Sequence, residues 1–315
     1  MGTLSATLAI IGADRPAVAA AVAALATVAV DLSATIRRPD TAARLGAVQG
    51  NSNADGDNQK ALDVLADEMI ATALGKVGEV YAYLSEERDE AIALNADGDV
   101  IVASDPLDGS SNIDTNVSIG TIFSILPAAG GSLQPGRNQL ASGIFVYGPQ
   151  TTLLVTFGDG VLAFQLGDDE VFYDMGWQVK IPADSSEFAI NASNSRYWMP
   201  AVAGYIGDCL AGSEGPRQRN FNMRWVGSLV ADGGRIFRRG GIFLYPADAR
   251  KGYENGRLRL VYEANPMAML VSQAGGTATD GRRDILDIDP SALHQRVPLV
   301  FGSANEVDAF MTYGS

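Results

Sequence analysis

The 315-residue chain has one cysteine and one histidine. A single thiol, Cys209, excludes an internal disulfide, and such cysteine usage gives no sign of an oxidising compartment. Next to Asp208 and Leu210 it reads as a buried apolar filler. A single imidazole, His294, excludes a multi-histidine zinc centre and weighs against a Ser-His-Asp hydrolase, so a structural role is expected for it. Basic residues are also scarce: 23 Lys and Arg stand against 37 Asp and Glu, a formal net charge of −14. Nucleic acid and anionic membrane are polyanions, and the charge disfavours both as partners. The main apolar run, Ala17 to Val30, is too short to cross a bilayer and is bracketed by Asp14, Arg15 and Asp31. It has no basic leader of the signal-peptide kind, and the expected location is the cytoplasm. The run reads as a helix starting near Pro16, a residue suited to a first helical turn.

What the chain does have is patterned acid. In Ser104-Asp105-Pro106-Leu107-Asp108-Gly109-Ser110-Ser111-Asn112, two carboxylates three residues apart run into glycine and small hydroxyl residues. Carboxylates are hard oxygen ligands suited to Mg²⁺ or Mn²⁺. Gly109-Ser110-Ser111 offers N–H and hydroxyl donors of the kind that cradle phosphate. Metal ligands running directly into a phosphate cradle suggest metal-assisted phosphoryl chemistry. Pro106 fixes its own φ and turns the two aspartates to one side, and Leu107 can add a carbonyl oxygen. The acidic net field repels a phosphorylated substrate, so metal, arginine or backbone N–H groups must neutralise such a site locally.

Four more acids stand in suggestive places. Asp63 lies beside an apolar stripe (Leu62, Leu65, Met69, Ala73, Leu74) at helical spacing, where a carboxylate needs a partner, a metal or a shifted pKa. Glu86-Glu87 closes a strand-like run, so one carboxylate can face a metal while the other faces water; taken alone, Glu-Glu-Arg-Asp-Glu also reads as a solvated turn. Glu263 closes an apolar strand before a helix, a position that the helix dipole alone also favours. In the second half, Arg224-Trp225, Tyr245, Arg257, Arg259 and the Asn194-Ser-Arg-Tyr197 run could grip a second phosphate.

Length favours two packed domains, and 47% hydrophobic with 19% charged residues places the chain among ordinary globular proteins. The expected elements begin with two helices, the second over residues 59–76, on either side of a glycine-rich loop at 46–58. Strands follow at 80–84, 100–103 and 117–126, then a meander over 143–166 turning at Gly148-Pro149 and Gly158-Asp159. The polar, proline-containing stretch at 181–186 marks the boundary, dividing a metal-site domain (1–184) from a sugar-phosphate domain (185–315). Beyond it the pattern predicts a helix after Trp198, a helix over 226–237, strands at 241–245 and 258–261, a helix over 266–273, a strand at 297–301 and a last helix from Asn305. Alternating α and β with hairpins means layered mixed sheets, α/β or α+β.

Taken together, these motifs resemble class I fructose-1,6-bisphosphatases. The match is carried by Lys60-Ala-Leu-Asp63, Ser85-Glu86-Glu87, Asp105-Pro-Leu-Asp-Gly-Ser-Ser-Asn-Ile-Asp114, Arg224-Trp-Val-Gly-Ser228, Gly240-Gly-Ile-Phe-Leu-Tyr-Pro246, Tyr262-Glu-Ala-Asn-Pro266 and His294-Gln-Arg-Val-Pro298. The aspartate motif alone reaches only the wider superfamily that includes inositol monophosphatases; the second-half motifs narrow it. The resemblance implies a five-layer α/β/α/β/α sugar-phosphatase fold, a homotetramer, and metal-dependent hydrolysis of fructose 1,6-bisphosphate to fructose 6-phosphate. Sedoheptulose 1,7-bisphosphate is the alternative or additional substrate.

By the same resemblance, Glu86, Asp105, the Leu107 carbonyl, Asp108 and Glu263 are the metal ligands, with Asp57 accessory, for two to three Mg²⁺ (or Mn²⁺) ions. Asp63 and Glu87 orient and deprotonate the attacking water. Asp108, Gly109, Ser110 and Ser111 hold the 1-phosphate. Asn194, Tyr197 and Tyr245 hold the 6-phosphate with Arg224 from a neighbouring subunit, Trp225 is a further substrate-binding residue, and Arg257 contacts the sugar and its phosphate. Two positions depart from the family: Trp225 stands where a tyrosine is common, and Arg257 where a lysine is. The N-terminus also lacks the AMP-binding segment of regulated members. Asp99-Val100 replaces a Lys-Tyr pair, so AMP is expected to inhibit weakly or not at all.

Overall fold

A computed structural model describes residues 1–38, 48–52 and 58–314. Asp57 lies outside the described residues. In chain order the elements are α1 (Leu4–Asp14), α2 (Pro16–Ile36), β1 (Val48–Ser52), β2 (Asn58–Lys60), α3 (Ala61–Leu74), β3 (Val80–Ser85), β4 (Ile92–Ala93), β5 (Val100–Asp108), β6 (Ile119–Pro127), β7 (Ala141–Tyr147), β8 (Thr151–Thr156), β9 (Val161–Leu166) and β10 (Phe172–Asp174). The second half adds β11 (Glu187–Ile190), α4 (Pro200–Leu210), β12 (Asn222–Met223), α5 (Leu229–Arg239), β13 (Ile242–Tyr245), β14 (Leu258–Arg259), α6 (Asn265–Gln273), β15 (Thr277–Thr279), β16 (Arg296–Val297), β17 (Leu299–Gly302) and α7 (Ala304–Met311).

Two sheets organise the chain. The larger has eight strands in the order β10-β9-β8-β7-β6-β5-β3-β4, mostly antiparallel, with β3 and β5 parallel. The smaller is mixed, in the order β12-β11-β13-β17-β15. The main apolar cores lie between the layers. Val22, Leu25 and Leu32 of α2, with Leu62 and Ile70 of α3, pack against Val102, Phe123 and Phe145 on one face of the large sheet. Ile122, Ile144 and Leu154 on its other face meet α5 and α6 through Val230, Phe237, Met267 and Leu270, and these meet Phe243 and Phe301 of the small sheet. Tyr205 and Ile206 of α4 and Val307 and Phe310 of α7 close the far side over Phe188 and Leu244. The result is helices, sheet, helices, sheet, helices: the expected layered α/β fold.

The structure corrects several expectations. A helix, α1, precedes the Pro16 helix, and its start is the Thr3 hydroxyl accepting from Ala6 N–H at 3.2 Å. The Pro16 helix runs on to Ile36, 21 residues, so by length and composition it could cross a membrane after all. Its Ala21, Val22, Leu25 and Leu32 are instead consumed by the core. Helix α5 begins at Leu229 rather than 226, because the Ser228 hydroxyl caps it. The expected strand at 297–301 is split in two at Pro298, which has no N–H for a ladder. The strand expected at 258–261 ends at Arg259, and residues Leu260–Ala264 wind into a π-helical turn that leads into α6. Such wide turns recur at functional sites, and this one carries Glu263.

Candidate active site

The aspartate motif ends β5. In a regular strand, Asp105 and Asp108 would face opposite sides of the sheet. The pairing with β6 slips here: Asp105 lies opposite Ile122 and Asp108 opposite Gly120, so three steps on β5 match two on β6. This one-residue bulge swings both carboxylates to one side. Pro106, which donates nothing, leaves its carbonyl to accept from the Thr121 hydroxyl at 2.9 Å. Asp105 Oδ1 accepts from Leu107 N–H at 3.0 Å. Leu107 buries its side chain in the core between the helices and the large sheet.

Asp108 Oδ2 accepts from the Ser228 hydroxyl at 2.7 Å and Val230 N–H at 2.9 Å, which ties the aspartate strand to the start of α5. Gly120 makes this approach possible, since a Cβ there would sit 2.6 Å from Val230 Cγ2. Gly109 follows in the left-handed region (φ 77°), where a Cβ would fall 2.8 Å from Ser228 Cβ. It opens the short 3₁₀ turn Ser110–Thr115, with Ser110 half-buried and Ser111 exposed.

Glu86 follows β3, its N–H bonded to Ser104 O of parallel β5 at 3.0 Å. This pairing brings the Glu86-Glu87 turn beside the aspartate motif. Glu86 is buried and Glu87 half-buried, so the turn is not the solvated one its composition allows. Carboxylate oxygens of Glu86, Asp105 and Glu263 lie within 4.8 Å of one another. Asp63, on α3, is 2% exposed.

Burial pushes the Glu86 carboxyl up to about 7, against the pull of Arg259. Asp105 and Glu263 are raised for the same first reason, then by Glu86. Asp108 is raised by burial too, while its bonds to Val230 and Ser228 oppose the rise. Arg259 is a correction. Read as a phosphate-gripping residue, it sits instead in the acid cluster, its Nη1 2.5 Å from Glu86 Oε1 and its N–H donating to Glu263 Oε2 at 2.6 Å. One guanidinium cannot neutralise four buried carboxylates, and an all-oxygen donor set fits a hard divalent cation.

A second pocket is lined by Asn194, Trp198, Trp225, Tyr245, Arg250 and Arg257. Trp225 stacks on Phe243 at 5.8 Å and meets Tyr245 at 6.0 Å. Burial raises the Tyr245 phenol, and Arg257 works against that rise. Two expected residues lie elsewhere. Tyr197 stands under the Arg250 guanidinium, 4.7 Å from its ring centre, rather than in the lining. Arg224, 49% exposed, turns its Nε to Glu187 at 3.7 Å and lines no part of this pocket.

Sequence reasoning missed three contributors. Arg250 is fixed by its ion pair with Asp248 and lines the pocket. Asp232, fully buried, accepts from Val226 and Gly227 N–H groups at 3.1–3.2 Å and so holds the loop after Trp225. Asp67, one helical turn beyond Asp63, pairs with Arg88 Nε at 2.6 Å and accepts from the Tyr83 hydroxyl. Its signal was present in the spacing, since residues i and i+4 share a helix face.

A bulge-aligned pair of aspartates, two further buried glutamates and an arginine-aromatic pocket define a phosphatase-type centre within a layered α/β scaffold. The comparisons place it in a family. The model described as Fructose-1-6-bisphosphatase, N-terminal domain matches residues 14–174, and the one described as Fructose-1-6-bisphosphatase, C-terminal domain matches 181–315. The chain is 51% identical over 317 residues to a Xanthobacter autotrophicus protein named fructose-1,6-bisphosphatase class 1 2, covering 96% of this chain and 95% of that one. It is 56% identical over 298 residues to a Nitrobacter hamburgensis protein named fructose-1,6-bisphosphatase class 1 1, covering 93% and 86%. The crystal structure of Leishmania major fructose-1,6-bisphosphatase in holo form superposes with a TM-score of 0.93 at 34% identity, covering 99% of this chain and 98% of that one. The chain belongs to the class 1 fructose-1,6-bisphosphatase family.

Proposed function

We propose that this chain is a metal-dependent hydrolase that removes the 1-phosphate of fructose 1,6-bisphosphate. The observation that carries this reading is the convergence of Glu86, Asp105 and Glu263 beside the Gly109-Ser110-Ser111 turn. With Asp108, the Leu107 carbonyl and the accessory Asp57 they would hold two to three divalent ions, Mg²⁺ or Mn²⁺. Such ions lower the pKa of water and neutralise charge on a transferring phosphoryl group.

The chain's own residues do the rest. Asp63, buried on α3, and Glu87, half-buried next to Glu86, orient the attacking water and accept its proton, a task that needs no histidine. The 109–111 turn aims its donors at the 1-phosphate. Asn194, Trp225 and Tyr245 bind the 6-phosphate, Tyr197 acts through Arg250, and Arg257 reaches the sugar. In this division residues 1–184 contribute most of the metal acids and residues 185–315 the sugar-phosphate pocket, with Ser228 and Glu263 crossing between them.

Arg224 would serve a neighbouring subunit of a homotetramer, a role that its exposure and its turn away from the chain's own pocket support. The buried Cys209 suits a cytoplasmic enzyme, since burial pushes its thiol up to about 11 and leaves it inert.

The second phosphate grip is directly testable. Arg224→Ala and Tyr245→Phe are expected to raise KM for fructose 1,6-bisphosphate about tenfold or more, the loss of one charge-assisted hydrogen bond. Steady-state phosphate release measures it. An unchanged KM in both variants points to an inositol monophosphatase-like site with no second phosphate pocket. Inhibition by AMP is expected to be weak or absent, because Asp99 puts negative charge where a phosphate would need a cation; a titration of activity with AMP that gives micromolar inhibition contradicts this.

A further inference from the structure

We infer that His294, the only histidine of the chain, is a positioning residue that fixes the Glu86-Glu87 turn from the opposite half of the protein. The inference rests on the metal-site reading above. Four contacts converge on this turn from its own half. Glu86 N–H bonds Ser104 O, Glu87 N–H bonds the Ser85 hydroxyl at 3.2 Å, and Arg88 N–H bonds Ser85 O at 3.3 Å. The Arg88 side chain is held by buried Asp67. The Arg88 carbonyl, where the turn leaves the site for the exposed Asp89 and Glu90, is met by His294 Nε2 at 2.9 Å.

A carbonyl only accepts, so Nε2 carries the proton and the imidazole is held in that tautomer. Its Nδ1 is buried with no hydrogen-bond partner, so the Arg88 carbonyl is the ring's one polar anchor. The ring also lies against Tyr262, with centres 5.3 Å apart, and Tyr262 is the residue before Glu263. The segment carrying His294 is itself fixed. Gln295 O accepts from Leu260 N–H at 2.8 Å, and Leu293 packs against the apolar cluster that contains Ala82, Leu84 and Tyr262. One imidazole thus joins the backbone of the turn bearing Glu86 and Glu87 to the π-helical segment bearing Glu263. The Arg259 pair links the same two places through the Glu86 side chain; His294 acts on the backbone and so governs Glu87 as well.

The test compares His294→Phe, which keeps a ring against Tyr262 and removes the donor, with His294→Gln, whose amide nitrogen can reach the same carbonyl. In His294→Phe the Mg²⁺ concentration for half-maximal activity is expected to rise about tenfold, the size seen when a partner that orients a metal ligand is lost. Here kcat falls while KM for the bisphosphate stays within about twofold. His294→Gln recovers most of both losses. A second readout needs no activity: hydrogen exchange of the metal-free protein should speed up at residues 85–90 in His294→Phe and not in His294→Gln. A His294→Phe protein with wild-type Mg²⁺ dependence and wild-type exchange at 85–90 overturns the inference, as does equal loss in both variants. If the wild-type protein shows no metal-dependent bisphosphatase activity, the functional reading fails, and the exchange comparison still decides the role of His294.

Discussion

Asp105→Asn is expected to lower kcat with Mg²⁺ by about 10³-fold or more, the equivalent of about 4 kcal/mol of transition-state stabilisation. The reason lies in the position of the group. Asp105 is 3% exposed, shares its cluster with Glu86 and Glu263, and stands on the bulge that also aims Asp108. An amide there keeps the shape and deletes the charge that holds a cation. Glu86→Gln should behave the same way. Glu87→Gln should differ: half-buried and outside the three-carboxylate cluster, its loss is expected to lower kcat while metal affinity is largely kept. Isothermal titration with Mn²⁺ beside steady-state kinetics separates the two cases. Near-normal turnover in Asp105→Asn removes the metal assignment; loss of metal binding in Glu87→Gln removes the division of roles.

Mg²⁺ is expected to raise Tm by several degrees more at about pH 8 than at about pH 6. Burial raises the Glu86 carboxyl to about 7 and raises Asp105 and Glu263 as well. Between the ordinary carboxylate value and the raised one, the folded metal-free chain holds protons that the unfolded chain has released. The stability that Glu86 contributes is therefore complete below its unfolded value and lost as pH rises through about 7, and Asp105 and Glu263 act in the same direction. At the upper pH Glu86 is ionised and repelled by the acids around it, so a divalent cation relieves most there; at the lower pH it must first displace a proton from Glu86. Differential scanning calorimetry with and without Mg²⁺ at the two pH values measures this. An equal gain, or a larger one at the lower pH, shows that these acids do not form the cation site.

Much of the site was legible because its acids sit at element ends, where sequence punctuation is strong. Asp105-Pro-Leu-Asp108 closes a clear apolar strand, and Glu86-Glu87 closes another. Two things were not legible. The first is the bulge: the two aspartates were expected on one side through a turn at Pro106, whereas the strand runs on to Asp108 and the slip against Gly120 aligns them. The second is partnership across long separations. Arg257 and Arg259 stand two residues apart in the sequence, so both read as phosphate ligands, yet the π-helical turn brings Glu263 back onto Arg259 N–H, and the Arg259 guanidinium lies on Glu86.

Helix α1 escaped notice for a similar reason. Its composition resembles that of the apolar helix behind it, and its separate start depends on one threonine cap. In the large sheet, by contrast, strand runs were plain, because the apolar runs of β5 to β9 are long and the β7–β8 and β8–β9 hairpins are short.

The most direct test is phosphate release from a panel of fructose 1,6-bisphosphate, sedoheptulose 1,7-bisphosphate, fructose 6-phosphate, fructose 1-phosphate and inositol 1-phosphate, each with Mg²⁺, with Mn²⁺ and with chelator. The expected result is release that requires a divalent cation and shows the highest kcat/KM on fructose 1,6-bisphosphate, with the monophosphates far below it. Release that persists in chelator, or kcat/KM values on monophosphates equal to those on the bisphosphate, contradicts a metal-dependent site built for two phosphates.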